Sequence, residues 1–281
     1  MKVKLHLNYA GHCLANERHA IRSGQNKVIK FHALWGLIQH PNHGWILFDT
    51  GYTRRFYDAT KNFPSRIYAL ATKVSISQDE EVLSQLKQAG ISSEDIKFII
   101  VSHFHADHVG GLHDFPSAHI ITSKKGLNQV RKMSSLFSFR KGILKGLIPN
   151  DLESRASFYE DFNTGKSIPD LGLVYDLFND ESIMIVPLEG HARGQFGLLL
   201  STSKSQYFLV ADAAWLHESF EELTLPHPIV RTFIDSWKAL VKSLNRIHQF
   251  YKNNPETVVV PTHCASTSDK LVSDQIDMDA L

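Results

Sequence analysis

The chain is poor in the features that most readily expose a protein's setting. Cysteine occurs only twice in 281 residues, at Cys13 and Cys264. Two thiols so far apart make neither a disulfide framework nor a paired-cysteine zinc motif, and a reducing cytoplasm is the expected compartment. No apolar run approaches the roughly 18 residues that span a bilayer, so no membrane partner is expected. The opening MKVKLHLNYAGH alternates like a strand and lacks the apolar centre of a signal peptide. Charge of one sign is not in excess either. Thirty Lys and Arg against 29 Asp and Glu leave a formal +1, which gives no reason to expect nucleic acid or an acidic surface as partner. Low-complexity tracts and short-period repeats are absent, and nothing marks a linker. With 43% apolar and 21% charged residues there is ample material for a core, and residues 1–281 read as one domain.

Histidine is abundant by contrast, with sixteen copies, and the densest cluster lies in IIVSHFHADHVGG, residues 99–111. Ile99, Ile100 and Val101 read as a short buried strand, and Gly110-Gly111 as a turn where the backbone bends at little steric cost. Between them stand His103, His105, Asp107 and His108. Alternation in an extended segment would point His103, His105 and Asp107 the same way, with His108 reaching another side of the same pocket as the chain bends. Imidazole and carboxylate together suit zinc, and also iron or manganese. A single histidine is more often a surface or satisfied core residue. Three of them with an aspartate, packed behind a buried strand, predict a metal site.

Other segments are arranged around this one. Residues 2–9 read as a strand, 11–26 as a polar loop, and 27–39 and 44–48 as strands flanking the hairpin signal Pro41-Asn42-His43-Gly44. Ser77 with Glu80 forms a capping-box pattern that opens a helix through Ala89. A strand near 118–122 and a helix near 124–133 precede residues 134–172, the least regular part, which is expected to be an insertion covering the pocket. Strands are expected at 173–178, 182–187, 197–201, 207–211 and 257–261, with an amphipathic helix over 235–251. Each half runs through strands and a helix to a buried strand that delivers histidine. This plan suggests two similar sheets packed together with helices outside. His191, Asp212 and His263 each sit where a buried strand emerges, a position from which side chains converge on a sheet edge. Asp49 ends another strand and is expected either to hydrogen-bond a ligand imidazole or merely to cap its turn.

With Asp49-Thr-Gly51, His103-Phe-His105-Ala-Asp107-His108, Gly190-His191, Asp212 and His263 in this order, the sequence resembles the metallo-β-lactamase superfamily over nearly its whole length. The resemblance implies an αββα four-layer sandwich. It also implies two zinc ions (or iron or manganese), one held by His103, His105 and His191, the other by Asp107, His108 and His263, with Asp212 bridging. In such a centre two cations share a water whose lowered pKa lets hydroxide attack a carbonyl, with Asp107 and Asp212 as the catalytic carboxylates.

The pattern is most similar to the N-acyl-homoserine-lactonase group, implying a small-molecule lactone or ester substrate and a monomer or homodimer. Asp212 stands where zinc β-lactamases carry Cys or Ser, and His105 where the flavodiiron branch carries glutamate; both argue against those chemistries. Trp215 stands where lactonases of the group commonly have tyrosine. It is either a packing residue or, through its indole N–H, a donor to substrate. Ala192-Arg193 replaces a frequent Thr-Pro, leaving Arg193 as a surface residue or a contact to a substrate anion. Phe137 and Phe139 either line an acyl-chain slot or belong to the core. A hydroxyacylglutathione-type thioesterase is the alternative, weakened by the acidic tail DKLVSDQIDMDAL. Phosphodiesterase activity is weakened by the near-neutral charge.

Overall fold

The structure, a computed structural model, describes residues 1–273, 275 and 276; the acidic tail lies partly outside them. In chain order, seven strands form one sheet: β1 (Lys4–Asn16), β2 (Val28–His40), β3 (Gly44–Phe48), β4 (Val74–Ser75), β5 (Ile96–Ile100), β6 (His119–Thr122) and β7 (Ala156–Phe158). Six form the other: β8 (Gly165–Ile168), β9 (Gly172–Asp176), β10 (Ile183–Pro187), β11 (Phe196–Ser201), β12 (Gln206–Ala211) and β13 (Thr257–Pro261). The spatial orders are β4-β1-β2-β3-β5-β6-β7 and β13-β12-β11-β10-β9-β8. Each sheet combines an antiparallel meander with parallel pairs: β3 with β5, β5 with β6 and β6 with β7 in the first, β12 with β13 in the second.

Side-chain alternation produces the layers. On β3, Ile46 and Phe48 face the second sheet while Leu47 faces outward; on β12, Leu209 and Ala211 face the first sheet while Phe208 and Val210 face outward. Apolar side chains of both sheets therefore meet in a central layer that includes Leu34, Ile38, Ile100, Ile185, Leu198 and Val260. A second apolar layer lies between the first sheet and the helix Val82–Gln88. A third lies under the helix Trp237–Asn253, which turns Leu244, Ile247 and Phe250 inward. The result is the expected αββα sandwich.

Three local expectations change. The first strand does not stop at residue 9. It continues to Asn16 through a register shift between Tyr9 and His12, where Gly11 adopts φ 75°; the glycine makes a bulge rather than an end. Ser77 does pair with Glu80, its backbone N–H donating over 2.7 Å, but the helix begins only at Val82. Finally, the irregular segment 134–172 is not one cover. Residues 156–158 pair with β6 and residues 165–168 with β9, so its second half builds the outer strands of both sheets. These strands are three and four residues long, too short and polar to give a period-two signal.

Candidate metal centre

β3, β5, β10, β12 and β13 all point their carboxyl ends toward one edge of the sandwich, and the ionisable residues of the site follow them. After β5 the chain is not extended as far as residue 107. It turns at His105 into the single helical turn Ala106–Val109. His103 and His105 thus approach from the loop, and Asp107 and His108 from the helical turn. The loop is held backbone to backbone: the Thr50 N–H donates to the His108 carbonyl over 2.9 Å, and a Cβ on Gly110 would lie 2.5 Å from the Gly51 carbonyl oxygen. Glycine is required there by close approach.

Two groups of donor atoms result, each within 4.8 Å of one another: His103, His105, His191 and Asp212 in one, Asp107, His108, Asp212 and His263 in the other. Asp212 belongs to both. One of its oxygens is 3.3 Å from His108 Nε2; the other is 3.3 Å from His191 Nε2 and 3.1 Å from His263 Nε2. His105 Nδ1 and His191 Nε2 lie 2.8 Å apart, and Asp107 reaches to 3.5 Å from His263 Nε2. All but His105 are buried. His103 Nε2, His108 Nε2 and Asp212 Oδ1 have no ordinary hydrogen-bond partner among the described residues although shielded from water. Buried polar atoms are rarely left so, and imidazole nitrogens converging on carboxylates are a donor set that could hold a divalent metal.

The opposite ring atoms are fixed from behind. Asp49, fully buried at φ 56°, accepts from the Ser102 N–H and the Ser102 hydroxyl, each over 2.8 Å, and lies 2.7 Å from His108 Nδ1. His263 Nδ1 is 2.8 Å from the His32 carbonyl oxygen, with the ring stacked on Phe31 at 4.7 Å. His103 Nδ1 is 3.1 Å from the Ser102 hydroxyl. Ser102, Phe31 and the His32 carbonyl gave no sequence signal.

Burial pushes His103 and His191 well below the ordinary histidine value and His105 down to about 4. Desolvation disfavours the imidazolium, so these three stay neutral, the form that binds metal. Burial acts in the same direction on His108 and His263. For His108 the carboxylates of Asp107, Asp49 and Asp212 outweigh it, and for His263 those of Asp212 and Asp107, so both rise. Asp212 falls well below the usual carboxylate range because His263, His108 and His191 outweigh its desolvation.

The remaining expected residues are placed differently. The Trp215 indole N–H donates to Asp212 over 3.2 Å, and the ring packs edge-on against His191 and Phe31; this donor faces the carboxylate. Arg193 is exposed. Phe139 is 8% exposed and part of the outer core of the first sheet, whereas Phe137 is 51% exposed under the Arg140 guanidinium. The first half of the segment 134–172 does back the loop: the Gly142 carbonyl accepts from the Ala106 N–H, and a Cβ there would lie 3.0 Å from the His105 ring.

A family model described as the Metallo-beta-lactamase superfamily matches residues 29–245. The chain belongs to the metallo-beta-lactamase superfamily. Among its relatives within this superfamily of metal-dependent hydrolases, an N-acyl homoserine lactonase of Azorhizobium caulinodans is 29% identical over 170 residues, 59% of each chain. The match to one of Rhizobium radiobacter spans 64% of that protein, so the chain covers less than two thirds of either. A Bacillus cereus N-acyl homoserine lactonase is 25% identical over 78% of this chain and 79% of its own. In structure, an N-acyl homoserine lactone hydrolase solved with N-hexanoyl-L-homoserine at its catalytic metal centre superposes with TM-score 0.75 at 19% identity, covering 96% of this chain and 97% of its own. A dizinc quorum-quenching lactonase superposes with TM-score 0.64 at 16% identity, over 93% and 87%. These superpositions establish a shared metallo-beta-lactamase fold.

Proposed function

We propose that this protein is a dinuclear zinc hydrolase that opens a lactone or cleaves a related carboxylic ester. The observation that carries the reading is the shared Asp212: two donor groups of imidazole and carboxylate overlap at one buried side chain. His103, His105 and His191 would hold one ion, Asp107, His108 and His263 the other, and Asp212 both. The chemistry such a pair supplies is a lower pKa for water and a polarised ester carbonyl. The chain's own residues prepare for it. Asp49 fixes the His108 ring by taking its Nδ1–H, and the His32 carbonyl does the same for His263; both leave Nε2 facing the centre. Asp107, itself a member of the second donor group, would also orient the attacking water through a hydrogen bond. Trp215 steadies the Asp212 carboxylate.

The lactonase relatives support a small lactone as substrate. Among the described residues no helix is long and apolar enough to cross a membrane. Cys13 and Cys264 are free thiols, in keeping with a reducing compartment. The test is elemental analysis joined to a substrate screen. Zinc-reconstituted protein is expected to hold two equivalents and to hydrolyse acyl-homoserine or simple lactones faster than thioesters and bis-aryl phosphates. Metal-free folded protein, or preference for either other class, would replace the reading.

A further inference from the structure

Of the imidazoles in the two donor groups, four turn Nε2 toward the centre, and three of those have Nδ1 anchored: His103 by the Ser102 hydroxyl, His108 by Asp49, His263 by the His32 carbonyl. His191 is the exception. Its Nε2 faces His105 and Asp212, yet its Nδ1 is sealed from solvent without a hydrogen-bond partner among the described residues. The Ser219 hydroxyl, on the helix His217–Glu221, is in the same condition. Both residues line one small cavity behind the centre, whose walls also include Asp212, Trp215, Ile234 and Leu240, with a volume of about 10 Å³. That is close to the room a single water requires, and a water is retained where polar atoms face it.

We propose that this cavity is a site for one structural water that accepts from His191 Nδ1–H and is held by the Ser219 hydroxyl, making Ser219 a positioning residue for His191. The inference rests on the reading of His191 as a metal ligand. The geometry explains why a serine is buried, at 2% exposure, amid apolar neighbours: an unpaired hydroxyl costs stability there, and a bridging water removes that cost. It also fixes a tautomer. With Nδ1 protonated toward the water, the His191 Nε2 lone pair is the one presented to the centre, as Asp49 arranges for His108 by a direct contact. The consequence for the proposed reaction is a site whose first donor group depends on a remote hydroxyl acting through a solvent molecule.

Two variants of equal shape isolate the hydroxyl: Ser219→Thr keeps it and Ser219→Val removes it. Zinc affinity, read by chelator competition, is expected to fall about 10- to 100-fold in Ser219→Val and to stay near the parent value in Ser219→Thr. Long-range 15N NMR of the parent protein is expected to show His191 in the Nδ1–H form with slow proton exchange. In Ser219→Val that exchange is expected to accelerate. Equal zinc affinities of Thr and Val, or an Nε2–H tautomer in the parent, would overturn the proposal while leaving the metal centre intact. A parent protein that takes up no zinc would instead remove the reading on which it rests.

Discussion

Asp49 occupies a backbone conformation that aspartate tolerates and most residues avoid, φ 56°, and Ala211, directly before Asp212, is at φ 48°. Such backbone costs are kept where the surroundings over-determine them. At Asp49 three hydrogen bonds do so, all removable by one substitution. Asp49→Asn retains the volume but must turn an amide donor against either Ser102 or the His108 ring. It is expected to lower zinc affinity about 10- to 100-fold, read by chelator competition, with the fold intact by circular dichroism. Trp215→Phe keeps an aromatic ring, though a smaller one, and deletes the N–H that Asp212 accepts. Its expected effect is weaker metal binding at an unchanged KM, since the donor does not face substrate. A raised KM alone would restore the substrate-contact role. Protonation couples to the same residues. His108 and His263 hold protons above the ordinary histidine value in the metal-free protein, and ligation must displace them. Zinc affinity is therefore expected to rise with pH, with proton release measurable by calorimetry in buffers of different ionisation enthalpy. In metal-free protein these two stabilise the fold below about pH 6.5, and that contribution is lost as pH rises through their elevated values. His105, pushed down to about 4, works the other way: the unfolded chain takes up its proton first, so stability is lost as pH falls from about 6.5 toward 4. Thermal unfolding of chelator-treated protein across that interval reads the balance.

At the scale of elements, what was legible in the sequence follows from burial. β12 and β13 are continuous apolar runs, and both were readable to within a residue because a doubly covered strand has no polar face. The helix Trp237–Asn253 was readable from its 3.6-residue period. β7 and β8 were not, since short outer strands such as Gly165–Ile168 carry no pattern of their own and are defined by the neighbour they join. The geometry of the 103–108 segment was misread for a related reason: ligand identity was visible in the residue types, but the helical turn at Ala106 is set by its packing against Gly51 and Gly142. Contacts between elements also explain a glycine that composition alone leaves unremarkable. A Cβ on Gly190, at φ 139°, would lie 2.1 Å from the Leu240 backbone nitrogen. Gly190→Ala is expected to cost about 1–3 kcal/mol in urea unfolding and, by shifting the loop of His191, to impair zinc uptake more than the loss of stability explains.

Across the whole molecule, the central layer joins the sheets and the donor cluster joins them again at one edge. Leu209 is 1% exposed between the sheets, and Leu209→Ala is expected to destabilise by about 2–5 kcal/mol in denaturant titration. Removing bound zinc is expected to lower stability by about 4 kcal/mol when the metal had been present at a thousand times its Kd, read as a drop in Tm reversed by zinc. The two donor groups also differ in when the growing chain can complete them. A nascent polypeptide that has emerged as far as Asp212 already owns every member of the group built on His103, His105 and His191, whereas its neighbour must wait some fifty residues more for His263 and for β13 to dock beside β12. For the two ions proposed above, the expected order of filling during synthesis is the first group before the second, which waits for the final parallel strand to close the edge.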